Sequence, residues 1–122
     1  MSRTFLLLGA IAGFTGVTLG AFGAHALRAR VSPEMLAVFE TGVRYQMYHA
    51  LALVATAALM NQIDGRLMVA AGWSFVAGIV LFSGSLYVLA LTSITVLGAI
   101  TPLGGLAFLL GWACLAIAVA AR

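Results

Sequence analysis

The sequence predicts an all-α membrane protein: a compact bundle of four transmembrane helices forming one domain, with an interfacial extension at the start of the second helix. Three observations carry this reading. Hydrophobic residues make up 64% of the 122-residue chain and charged residues 7%, a balance that leaves too little polar surface to enclose a core in water. Stretches free of Asp, Glu, Lys and Arg run from Thr4 to Leu27, from Tyr45 to Ile63 and from Leu67 to Ala121, and each can cross a hydrocarbon layer of roughly 30 Å. The last would make one helix of roughly 80 Å. It must therefore break, and the Thr, Pro and Gly residues of TSITVLGAITPLGG (92–105) supply the break.

The first helix is expected over about 4–30. MSRTFLLLGAIAGF, followed by Ala24-His25-Ala26, resembles a leader with an A-x-A cleavage site. Its apolar run, however, exceeds the usual h-region of roughly 7–15 residues. Gly9, Gly13, Gly16, Gly20 and Gly23 recur at helical steps, placing them on one stripe where another backbone can approach closely. A leader has no need of such a stripe, so a retained packing helix is expected. His25 falls on another face, at the water interface, with Arg28 and Arg30 beyond it near lipid phosphates and the negative helix pole.

The second helix is expected over about 33–60. Ser32-Pro33-Glu34 combines a capping side chain, a residue suited to the first helical position and an acid at the positive helix pole. Its first turns form the interfacial extension, where Glu40 and Arg44 stand at i, i+4 and can pair. The polar cluster GVRYQMYHALAL follows. Gly42, Tyr45, His49, Ala52 and Thr56 share a stripe with Gln46 beside it, so this face is expected against protein rather than lipid. The candidate polar site comprises His25, Glu40, Arg44, Tyr45, Gln46, His49 and Thr56. Its bland reading is that Gln46 and His49 hydrogen-bond to neighbouring helices and serve packing.

The third helix is expected over about 66–91, with Ser74, Gly78 and Ser85 on one side, Ser83 and Tyr87 on another, and hydroxyls bonding i−4 carbonyls. The fourth is expected over about 103–120, where Gly104, Ala107, Gly111, Cys114 and Ala118 form a small-residue stripe and Cys114 reads as a packing residue.

The formal charge of +3 comes from six arginines scattered at helix ends, which points to lipid headgroups and not to nucleic acid. Arg3, Arg66 and Arg122 fall on one side and Arg28, Arg30 and Arg44 on the other. Arginine numbers thus leave orientation undecided, and the uncharged 92–102 link favours both termini in the cytoplasm. Two histidines and one distant cysteine make no closed zinc set. No cofactor is predicted, although His25 and His49, at one end of two helices, leave room for a haem or quinone pocket. No carboxylate stands at mid-membrane, as a small proton-coupled exporter would require. No catalytic constellation and no phosphate loop is present.

AFGAHAL (21–27), the Phe39–Leu53 stretch with YQMYHALAL, LFSGSLY (81–87) and ITPLGG (100–105) together resemble the YgdD/YwdK family of small four-helix membrane proteins of unknown function. The resemblance covers nearly the whole chain. It implies a bacterial inner-membrane location and carries no catalytic residues. With the small-residue faces, it leads us to expect a non-enzymatic accessory subunit or scaffold that associates with lipids, with itself or with a larger membrane complex. The alternatives are an oligomeric channel or carrier lined by Tyr45, Gln46, His49 and Thr56, and haem or quinone binding near His25 and His49.

Overall fold

A computed structural model describes residues 1–122. The chain is entirely helical, with four long helices: α1 (Ser2–His25), α2 (Pro33–Leu59), α3 (Arg66–Thr92) and α4 (Thr101–Ala120). Short 3-10 turns at Leu27–Ala29 and Thr95–Ala99 lead into α2 and α4. The first helix therefore stops at His25 and does not run on to Arg30, because the chain must turn to bring α2 antiparallel beside it.

α1, α3 and the stretch Thr95–Ala120 are long and apolar enough to cross a membrane, whereas α2 is long but more polar. Three of the four expected spans thus have the length and apolarity to cross, and α2 falls short by that measure. α2 packs along α1 on one side and α3 on the other, and α3 packs along α4. Being central, α2 turns Gln46, His49 and Thr56 inward, each at most 4% exposed.

Outward faces are apolar. Phe14, Leu7, Val17, Val80, Leu109 and Leu106 are all more than half exposed, a surface suited to lipid tails and too large and apolar for water.

Glycines let the helices approach. A Cβ at Gly9 would meet Ala50 O at 3.0 Å, one at Gly20 would meet Val43 at 3.3 Å, and one at Gly23 would meet Phe39 at 3.0 Å. Gly16 lies against Met47, Gly78 against Phe108, Gly111 against Phe75, and Gly104 against the main chain of Phe82. Gly13 is the exception within the predicted stripe, since it faces open space. Gly9 and Gly16 on either side of it both pack on α2, so Gly13 stands at the edge of the stripe and not in its contact line.

α3 is not a uniform helix. Arg66–Gly78 is α-helical, Ile79–Ser83 forms one π-helical turn, and Gly84–Thr92 is α-helical again. A π turn inserts an extra residue and rotates the rest of the helix about its axis. The buried positions record this: Met68, Ala71, Phe75 and Gly78 step by three and four, and the next is Ser83, five residues on. This rotation overturns the expected grouping of Ser74 with Gly78 and Ser85. Ser83 faces α2, Ser85 faces the start of α4, and Ser74 is half-buried.

Two apolar clusters bracket the middle of the bundle. Phe5, Leu53, Ala57, Ala71, Phe75 and Cys114 fill the end nearest the termini. Leu27, Phe39 and Ala90 fill the other, packing the first turns of α2 onto the ends of α1 and α3. Met1, Gly65 and Arg66 border one surface depression, and Arg66, Ala121 and Arg122 another, so both termini and the α2–α3 turn share one end. Gly65 makes that turn at φ 117°, a conformation available without strain only to glycine.

Candidate functional site

Between the clusters lies a layer of buried polar side chains, and α2 contributes its hub. Gln46 Nε2 donates to Ala12 O and to Thr15 Oγ1 of α1, both at 2.8 Å. Its Oε1 accepts from Tyr87 Oη of α3 at 2.6 Å. Ser83 Oγ donates to Gly42 O at 2.6 Å, a bond from α3 to α2 in place of the expected i−4 bond within its own helix. One glutamine amide thus joins three helices, with both its donor and acceptor ends engaged.

His49 occupies the opposite flank. Its Nδ1 lies 2.7 Å from Tyr45 O, and Trp112 Nε1 of α4 donates to its Nε2 at 3.0 Å. An indole N–H can only donate and a carbonyl can only accept. The two partners therefore select the neutral imidazole with the proton on Nδ1, so Nδ1–H donates to Tyr45 O. Phe108 stacks on the ring at a centroid distance of 3.5 Å and 8° between planes, and Phe75 and Trp112 pack at 5.6 and 5.9 Å. Thr56 is fully buried and donates to Ala52 O at 2.8 Å.

The predicted residues are thus only partly brought together. Gln46 and His49 face different neighbours, and Thr56 satisfies itself about two to three turns further along α2. Tyr45 lies at the α4 edge, 36% exposed, against Phe82 and Phe108. Glu40 and Arg44 are exposed and have no part in the layer.

His25 is exposed too, its Nδ1 donating to Ala21 O at 2.9 Å. It stands at the end of α1, whereas His49 lies sixteen residues into α2, roughly 24 Å from that helix's start. The shared corner expected for the two histidines is not formed. The two side chains do not line one pocket, and both ring nitrogens of His49 have partners within the chain. The path expected along Tyr45, Gln46, His49 and Thr56 is likewise filled by this chain's own side chains: Gln46, His49 and Thr56 point into the protomer.

Tyr87, Trp112, Phe108, Ala12 and Thr15 complete the layer, and of these only Tyr87 attracts notice in the sequence. Ala12 enters through its carbonyl, which no residue type announces. Two shallow grooves flank the layer. One of about 220 Å³ opens between α1 and α3 over Thr15, Gln46 and Val80; the other, of about 440 Å³, runs along Tyr45, Tyr48, Phe108 and Trp112. No buried side-chain polar atom is left without a hydrogen-bond partner, and no three His, Cys, Asp or Glu residues converge. The hydrogen bonds of the layer tie α2 to α1, α3 and α4.

Comparison with known proteins agrees on the class. The DUF423 family, described as a protein of unknown function, matches residues 19–105. The chain is 50% identical over 117 residues to the UPF0382 membrane protein YwdK of Bacillus subtilis (strain 168), covering 95% of each chain. It is 47% identical over 119 residues to the UPF0382 membrane protein SAB0533 of Staphylococcus aureus (strain bovine RF122 / ET3-1), covering 95% of this chain and 94% of that one. A relative in Staphylococcus haemolyticus (strain JCSC1435), the UPF0382 membrane protein SH2409, is 47% identical over 118 residues. No solved structure matches the chain. With a family match over most of its length and relatives at about half identity from end to end, the chain belongs to the DUF423 family of membrane proteins of unknown function.

Proposed function

We propose that this protein is a non-enzymatic membrane subunit or scaffold of the bacterial plasma membrane, with all four helices crossing the bilayer and both termini cytoplasmic, and that it works by binding other proteins through its outer helix faces. The observation that carries this reading is the satisfied polar layer. Every buried side-chain donor and acceptor is already paired within the chain, so binding capacity resides on the outside. Group-transfer sites usually keep a nucleophile or base within reach of substrate, whereas Gln46 and His49 are held by three neighbouring helices.

The fourth crossing rests on the depth of α2. Phe39, Val43 and Ala50 meet Gly23, Gly20 and Gly9, so α2 runs the length of α1. Its charged residues Glu34, Glu40 and Arg44 lie in its first turns, and beyond them Gln46, His49 and Thr56 do not face lipid, so mean hydropathy understates the fitness of residues 45–59 to span. Three arginines at each end balance. The uncharged link before α4 is therefore the support for cytoplasmic termini, because it is the cheaper side to translocate.

The test is gentle extraction from the native membrane, followed by the mass and composition of the particle. A particle well above the 12.6 kDa of one chain, holding further copies or other subunits, is the expected result. A lone chain under several mild extraction conditions would overturn the proposal.

A further inference from the structure

The side of α2 turned away from the bundle is its most polar outer face. Ala37, Glu40, Arg44, Tyr48, Leu51 and Ala55 are all exposed, and they recur at steps of three and four, forming one straight stripe. Contacts on the opposite side of α2 give its depth. Val43 meets Gly20, Gln46 bonds Ala12 and Thr15, and Ala50 meets Gly9. Arg44 is therefore level with about Gly20, roughly 8 Å of helix inside the His25 end of α1. Tyr48 lies deeper still, near the middle of α1, and is 52% exposed.

Resting on the reading that α2 crosses the bilayer, these positions put the Arg44 backbone and the Tyr48 phenol at hydrocarbon depth, where unpaired polar groups are costly. An internal Glu40–Arg44 pair, level with about Gly23, would leave Tyr48 uncovered. A phosphate could be reached by Arg44 snorkelling outward, but that leaves Tyr48 uncovered.

We propose that this stripe is the contact surface for a second copy of the same chain, with Arg44 of one copy paired to Glu40 of the other. Copies inserted in one orientation are related by an axis along the membrane normal, so their α2 helices run parallel and equal residues stand at equal height. Helical side chains lean toward the N-terminus. Arg44 therefore points toward the level of Glu40, one turn or roughly 6 Å higher, and the symmetry makes the pair twice. Below it, Tyr48 and Leu51 meet their counterparts while Ala55 permits close approach. The acid and base on one stripe make it self-complementary, which a face designed for lipid has no reason to be.

Cross-linking in native membranes tests this. With Cys114 replaced by alanine, the single variants Tyr48→Cys and Leu51→Cys should form disulfide-linked dimers on mild oxidation. Val17→Cys on α1 and Leu106→Cys on α4, more than 60% exposed at the native residue, should not. Glu40→Arg or Arg44→Glu should each cut the Leu51→Cys dimer yield several-fold, and the two together should restore it. Monomer at both stripe positions, equal yields on all faces, or no restoration by the double swap would overturn the proposal. An adduct at the stripe with a different protein would also overturn self-pairing while leaving the scaffold reading standing. A lone chain in the extracted particle, with no adduct on any face, would remove both.

Discussion

Replacing Gln46 by leucine removes the amide that joins α1, α2 and α3. Three hydrogen bonds disappear, two to α1 and one from Tyr87. The losses are unequal. Ala12 O belongs to the carbonyl ladder of α1, and Thr15 Oγ1 keeps its bond to Ile11 O at 2.9 Å, so neither is stranded. Tyr87 Oη loses its acceptor. Interhelical hydrogen bonds in membranes contribute about 0.6 kcal/mol each on average, so three amount to about 2 kcal/mol. A stranded hydroxyl adds about 1–3 kcal/mol. Gln46→Leu should therefore destabilise by about 3–5 kcal/mol. Tyr87→Phe alone removes one bond and leaves Gln46 Oε1 unpaired, for about 1–3 kcal/mol. In the double variant no hydroxyl is stranded, so it should be no less stable than Gln46→Leu, with a coupling at least as large as the Tyr87→Phe effect, about 1–3 kcal/mol. The assay is reversible unfolding in mixed micelles, applied to wild type, both single variants and the double variant. Additive effects of Gln46→Leu and Tyr87→Phe would refute the network, as would a Gln46→Leu protein as stable as wild type.

The same geometry sets two further outcomes. Gly104→Ala places a methyl group on the main chain of Phe82, which cannot rotate away. It should cost about 3 kcal/mol or more, whereas Gly13→Ala, which meets open space, should be neutral or stabilise by up to about 1 kcal/mol; thermal unfolding of the two variants makes the comparison, and equal effects would contradict the packing. Nitrogen-15 NMR of His49 should show a protonated Nδ1 and an unprotonated Nε2, because Trp112 donates to Nε2. Trp112→Phe should shift the Nε2 resonance while Nδ1 stays protonated, because Tyr45 O still accepts from it, and a ring protonated at Nε2 in the wild type would contradict the bond.

Much of the architecture was legible in the chain. Long uncharged stretches, the Ser-Pro-Glu start of α2 and the Thr-Pro-Gly break before α4 are local signals, and they report local structure. Helical phase likewise showed that Gly42, His49 and Thr56 share an inward face of α2. Helical phase alone could not show what each face would meet. Gln46 and His49 look like one site because they are three residues apart, yet that step turns them toward different neighbours, α1 and α3 for one and α4 for the other. His25 and His49 look close because one helix ends where the next begins, but Gly23 is level with Phe39, so about a dozen residues of rise separate the two histidines.

What the sequence determined by itself is the chain's solvent: with so few charges and such long apolar runs, lipid must cover most of the surface, and helices are the structures that satisfy the backbone there. What only the tertiary structure decided is the partner of each polar group. The π turn at Ile79–Ser83 rotates Ser83 and Tyr87 toward α2, Gly13 is left open, and α2 becomes central, so its polar face turns inward while its charged stripe remains outside. These outcomes depend on how four helices cross, and no single segment encodes a crossing. It arises from glycines, ring stacks and shared hydrogen bonds contributed by residues distant in the chain.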